Sequence, residues 1–387
     1  MSARRFNIVS AARLGMTLVE LLVVIAIIVS VSAVILPTLK ESLKDQKITQ
    51  ASRQLTGLID SSKAQAFATG RSVGISFERV GGDSFEQASS SIQVVRLEEL
   101  PPYTGDFQDA GAYLRATSGS PIFSYALISQ RDAAGLMNIA SVGDSISFGD
   151  SDERFEITRI ESVSEQLPGT ITAQPVYRIS FRNGSGNSPY PPLLFSDSVR
   201  GNSQIKIPFK LYRKPVRNEL FVLQLPRNIC IDLSCSGFAN SSNAVGFSGI
   251  EFSAEAIASP YSWQEFRQAN GDFGPVTIMF APNGDVYRVG TGVGVNNFPW
   301  PVGDVYLLLG RLDRVSENRL AGGVPSTDLN GVLGNLMTSE SLWIKISRSG
   351  GRVTSTNLDG LGSATTLAQR IFESRATARL GLSEGGR

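Results

Sequence analysis

Histidine is absent from all 387 residues. That removes the commonest general base and the commonest ligand for zinc and iron. A Ser-His-Asp or Cys-His nucleophile is therefore excluded, and neither a Gly-x-Ser-x-Gly elbow nor a P-loop is present. Cysteine is nearly absent too. Cys230 and Cys235 are the only two, too few for a thiolate metal cage. An excess of positive charge is also missing, because 36 basic residues meet 35 acidic ones. Without a basic field, nothing neutralises a phosphate backbone, and no nucleic-acid partner is expected. The 38 glycines favour turns and short strands over long soluble helices. The length allows two or three domains.

One long apolar run is present. Arg4, Arg5 and Arg13 stand in a segment with no acidic residue, and Met16–Leu36 follows as 21 almost uninterrupted apolar residues. About 20 such residues cross a bilayer as a helix, so the run predicts a transmembrane helix over 16–36. A secretory signal would be shorter and would close on small residues, whereas this run ends in Ile35-Leu36-Pro37. Glu20 interrupts it. A carboxylate near the centre of such a span costs about 2.5–3.5 kcal/mol and less near its end, so Glu20 either pairs with a cation or snorkels to the interface.

Gly15-Met16-Thr17-Leu18-Val19-Glu20, behind its basic leader, resembles the prepilin processing motif of type IV pilins and type II secretion pseudopilins. The resemblance implies cleavage between Gly15 and Met16 by prepilin peptidase, methylation of Met16, and an assembly role for Glu20 against the N-terminal amine of a neighbouring subunit. Phenylalanine is more usual than Met16 at that place. The resemblance further implies a bacterial inner-membrane, single-pass protein with its C-terminal head in the periplasm or outside. Charge alone does not orient the chain, since Lys40, Lys44 and Lys47 balance the arginines ahead of the run.

Past Pro37 the pattern stays helical. Leu39, Leu43, Ile48, Ala51, Leu55, Leu58 and Ser62 recur mostly every three or four residues, Ala66 and Phe67 extend the stripe, and Gly70 is the stop. Such a stripe suits a sheet-facing helix or a coiled coil. Val73, Ile75 and Phe77 then alternate as a first strand, and 62–75 resembles the minor pseudopilin H family. Strands are read at 142–148, 155–160 and 176–181. Farther on, 225–233, 276–286 (with an Asn283-Gly284 turn) and 342–353 resemble the family's later strands.

The expected fold is therefore α+β: a long N-terminal transmembrane helix packed on an antiparallel β-rich head, the pilin fold, with an inserted β-rich lobe. Its parts are a leader at 1–15, the span at 16–36, an amphipathic extension at 37–70, and the head at 71–84 and 206–363. The lobe takes 85–205, and a short helix and tail take 364–387.

Cys230 and Cys235 form either a disulfide outside the cytoplasm or two unpaired thiols; the exported head favours the disulfide. Asp144, Asp150, Asp152 and Glu153 either offer oxygen ligands to calcium or simply decorate a hairpin tip. Glu98 and Glu99 are adjacent, an arrangement that points carboxylates apart rather than pairing them for catalysis. Trp300, between two prolines, reads as a packed turn or a surface contact. No cofactor and no catalytic residue is expected. Two functions stand: a minor pseudopilin of a secretion pseudopilus or type IV pilus-like filament, or an extracellular binding or hydrolytic lobe on a pilin anchor. The first implies prepilin peptidase, other pilin or pseudopilin subunits, secretion platform proteins and the membrane as partners.

Overall fold

The computed structural model describes residues 18–116, 123–150, 153–182, 206–238, 250–255, 262–270, 273–291, 297–298, 303–317, 334–358 and 366–380. Within helix α1 the side chains of 33–45 lie outside the described set.

Helix α1 spans Leu18–Thr69 and stays helical through Pro37. Gly70, with φ 63°, ends it in the left-handed conformation that glycine adopts without a Cβ clash. Strand β1 (Val73–Arg79), the short α2 (Phe85–Ala88) and β2 (Ser90–Glu98) follow. Next come β3 (Ala112–Ala116), β4 (Phe123–Ser129), α3 (Leu136–Ile139), β5 (Ser145–Phe148), β6 (Phe155–Glu165), β7 (Gln174–Arg182) and β8 (Phe209–Tyr212). The chain continues through β9 (Val216–Gln224), β10 (Ile229–Phe238), α4 (Trp263–Asn270), β11 (Val276–Phe280), β12 (Val286–Gly290) and β13 (Asn297–Phe298). It closes with β14 (Val305–Arg311), β15 (Leu342–Ile346), β16 (Val353–Asn357) and α5 (Leu367–Leu380).

Ten strands form an antiparallel sheet in the order β13-β12-β11-β1-β2-β10-β14-β15-β16, with β9 paired to β2 alongside β10. The second half of α1 lies on one face. Ile48, Ala51, Leu55 and Ile59 pack there among Ile75, Phe77, Ile278, Phe280, Leu307 and Ile344. Their spacing of three and four residues puts them on one helical stripe, and alternate strand residues meet that stripe. The sheet's other face carries α5 over Tyr306, Leu308, Leu336 and Trp343. Arg375 of α5 donates to the Cys235 carbonyl at 2.9 Å and lies 4.8 Å from the Tyr306 ring centroid and 4.9 Å from that of Trp343. Burial pulls its guanidinium down to about 10.

The second sheet has six strands in the order β3-β4-β7-β6-β5-β8. It closes on itself. Just before β8, Ile207 exchanges both backbone hydrogen bonds with Ala112 of β3, at 2.8 and 2.9 Å. Gly111 allows this approach, because a Cβ there would stand 2.9 Å from the Ile207 carbonyl oxygen. The resulting small barrel is filled by side chains, among them Leu114, Ile128, Ile146, Ile179 and Leu211. Phe148, Phe155 and Phe181 meet at its centre with ring centroids 5.1–6.1 Å apart.

These observations correct the expected fold class. The architecture is mostly antiparallel β-sheet, and the helices after α1 are short. Among the described residues, no helix is long and apolar enough to cross a membrane. The transmembrane helix at 16–36 and the single-pass inner-membrane placement are overturned on this finding. Lobe boundaries shift as well. Strand β2, inside the expected 85–205, belongs to the large sheet, whereas β8, assigned to the head, completes the barrel.

Candidate functional site: the uncovered half of α1

Leu, Val, Ile and Ala fill α1 from Leu18 to Val31, without glycine or proline to break it. Glu20 sits in the first turn, where a negative charge suits the helix dipole. Ser30 returns its hydroxyl to the Ala26 carbonyl at 2.8 Å, so its polarity is satisfied within the helix.

The large apolar side chains of this half lie open to solvent. Leu18 is 79% exposed, Leu22 61%, Ile25 53% and Val29 62%, and Leu21, Ile27, Ile28 and Val31 are exposed with them. These positions fall on every side of the helix, not on one stripe. A helix that is apolar all round is normally a buried one. Each of these side chains would contribute about 1.5–3 kcal/mol if fully covered. The cover has to come from outside the described residues.

The other half of α1 is held firmly. Leu55, Ile59 and Ala66 are completely buried. Lys63 donates to the Gly351 carbonyl at 2.8 Å and pairs with Asp60 at 2.8 Å. On its flank, the Ser61 hydroxyl accepts from Arg96 of β2 at 2.6 Å. The Arg96 guanidinium lies 3.8 Å from the centroid of the Phe221 ring. One end of a single rod is thus fixed to the sheet while the other presents bare apolar surface.

Of the sequence-predicted site residues, Glu20 lies on the uncovered half, while Gly15 and Met16 lie outside the described residues. Cys230 and Cys235 are both buried on β10 and are not joined, so the expected disulfide is not formed in the structure. The pairing of β10 with β14 becomes irregular between Asp232 and Gly237. Cys235 falls in this irregular stretch and joins the cluster beneath α5, whereas Cys230 stays in regular register opposite Gly310. Burial and the neighbouring Asp232 push the Cys230 thiol up, keeping it protonated.

The acidic cluster is dispersed. Asp144 accepts from the backbone N–H of Ser141 at 2.7 Å and of Lys214 at 2.8 Å, which makes it a buried turn anchor. Among the described residues, no group of three metal-ligating side chains converges. Glu98 accepts from Asn218, while Glu99 accepts from Arg154 and Tyr287, so the two carboxylates serve different neighbours. Asp152 and Trp300 lie outside the described residues. Sequence reasoning missed the contacts of Glu99, whose partners lie 55 and 188 residues away.

The chain matches no family model, no curated protein and no solved structure.

Proposed function

We propose that this chain is a structural subunit of a filament of the type II secretion pseudopilus or type IV pilus kind, acting in protein secretion, and not an enzyme. Within that class it is a minor subunit, because the added barrel would crowd a repeating shaft. The uncovered apolar half of α1 carries this reading. A surface of that kind is covered when such helices bundle in the core of an assembly. The resemblance of Gly15–Glu20 to a prepilin processing motif supplies the second support. Prepilin peptidase would cut after Gly15 and methylate Met16, placing a new amine close to Glu20 of a neighbouring subunit. In a poorly solvated core the amine–carboxylate attraction exceeds its value in water.

Mass spectrometry of the protein from its native host tests the processing. An N-terminal peptide that begins with methylated Met16 is expected; a chain still beginning at Ser2 would contradict it. Glu20→Ala tests the assembly role in a secretion or piliation complementation assay. Lost activity with the protein still present at normal level is expected. Wild-type activity would remove Glu20 from the assembly mechanism.

A further inference from the structure

Two chain segments connect the barrel to the large sheet, and they run side by side. Glu98 of β2 pairs with Val216 of β9, and Tyr103 pairs with Leu211 of β8. The two pairs keep one common antiparallel register, with four residues on each strand between them: 99–102 facing 212–215. The ladder lapses over those residues. Pro101, Pro102 and Pro215 lie within the gap. Each removes a backbone donor and fixes its own φ, so a ribbon interrupted here loses ladder hydrogen bonds. A two-stranded neck with a broken ladder is a natural bending point.

Side chains bridge that gap. Arg154, immediately before β6 of the barrel, donates to Glu99 Oε1 at 3.0 Å. Tyr287 of β12, in the large sheet, donates to Glu99 Oε2 at 3.3 Å. The Glu99 N–H donates to the Ser72 carbonyl at 3.0 Å, fixing that residue to the sheet. The Arg154 guanidinium also lies 3.7 Å from the centroid of the Tyr212 ring, on the opposite strand of the neck. Glu99 thus binds the barrel with one oxygen and the sheet with the other, while Arg154 clamps the returning strand.

We propose that the neck at 99–102 and 212–215 is a proline hinge, and that Glu99, Arg154, Tyr212 and Tyr287 form the lock that holds the barrel at one angle to the large sheet. The lock rests on folded-chain geometry alone and stands whether or not the chain enters a filament. A charged pair stacked on an aromatic ring is directional, so it fixes an orientation where the backbone ladder has lapsed. Breaking it releases a swing of the barrel as a body, and both cores stay intact.

Electron–electron distance measurements on the full chain test this, with spin labels at Gln54→Cys on α1 and Thr158→Cys on β6; both positions are exposed, whereas Cys230 and Cys235 are buried. The otherwise native chain should give a single narrow distance distribution. Arg154→Met and Glu99→Gln should each lose it and give a broad one, with circular dichroism and the unfolding transition of the large sheet unchanged. Tyr287→Phe, which removes one hydrogen bond without burying a charge, should broaden the distribution less, and it serves if either charge variant fails to fold. Distributions as narrow in the variants as in the native chain would overturn the lock. So would a native distribution already as broad as theirs.

Discussion

The two halves of α1 are continuous in backbone and opposite in surroundings. From Ile48 to Ala66, one stripe is buried on a ten-stranded sheet while the opposite side faces water. From Leu18 to Val31, every side is apolar and none is covered. An amphipathic pattern states that the chain supplies its own partner. An all-round apolar pattern states that it does not. The comparison separates folding from assembly along one helix, and substitutions in the two halves should therefore report on different processes.

The largest effect on stability is expected at Leu55→Ala. Its side chain is 0% exposed and leaves a cavity between α1 and the sheet, so denaturant unfolding should show a loss of about 2–5 kcal/mol. Ser61→Ala, on the flank of the packed half, should cost about 1–2 kcal/mol, because it strips a hydrogen bond from the buried Arg96 guanidinium. Leu22→Ala should change unfolding by less than about 0.5 kcal/mol, since an exposed side chain has no cavity to leave. If Leu22→Ala destabilised the fold as much as Leu55→Ala, the contrast between the halves would be lost.

Much of this was legible in the sequence. The stripe Ile48, Ala51, Leu55 and Ser62 is buried as its period indicates, although Phe67, read as an extension of it, is 80% exposed. Strand β1 lies where alternating residues placed it, β5, β6 and β7 fall in the segments read as strands, and the Asn283-Gly284 turn follows β11 with Gly284 at φ 87°. What was not legible depends on pairing at long range. Barrel closure rests on Ala112 meeting Ile207, and no local pattern announces a partner 95 residues on. The neck requires two proline-bearing segments to be seen in register. The cysteine pair misled because its oxidation was argued from an exported head, whereas both residues lie on β10, where the strand's irregularity separates their surroundings. The transmembrane reading came from counting apolar residues at 16–36. Among the described residues, however, no helix is long and apolar enough to cross a membrane.

The central claim is that the uncovered half of α1 is a surface for association with other subunits. Sedimentation of the full-length chain in detergent-free buffer, beside the double variant Ile25→Asp, Val29→Asp, tests it most directly. Both side chains are exposed, at 53% and 62%, so charging them should leave the fold intact while making a desolvated helix bundle costly. The native chain should sediment as a self-associated species and the double variant as a monomer, with equal unfolding midpoints. A native chain that sediments as a stable monomer, or a double variant that associates equally well, would contradict the account.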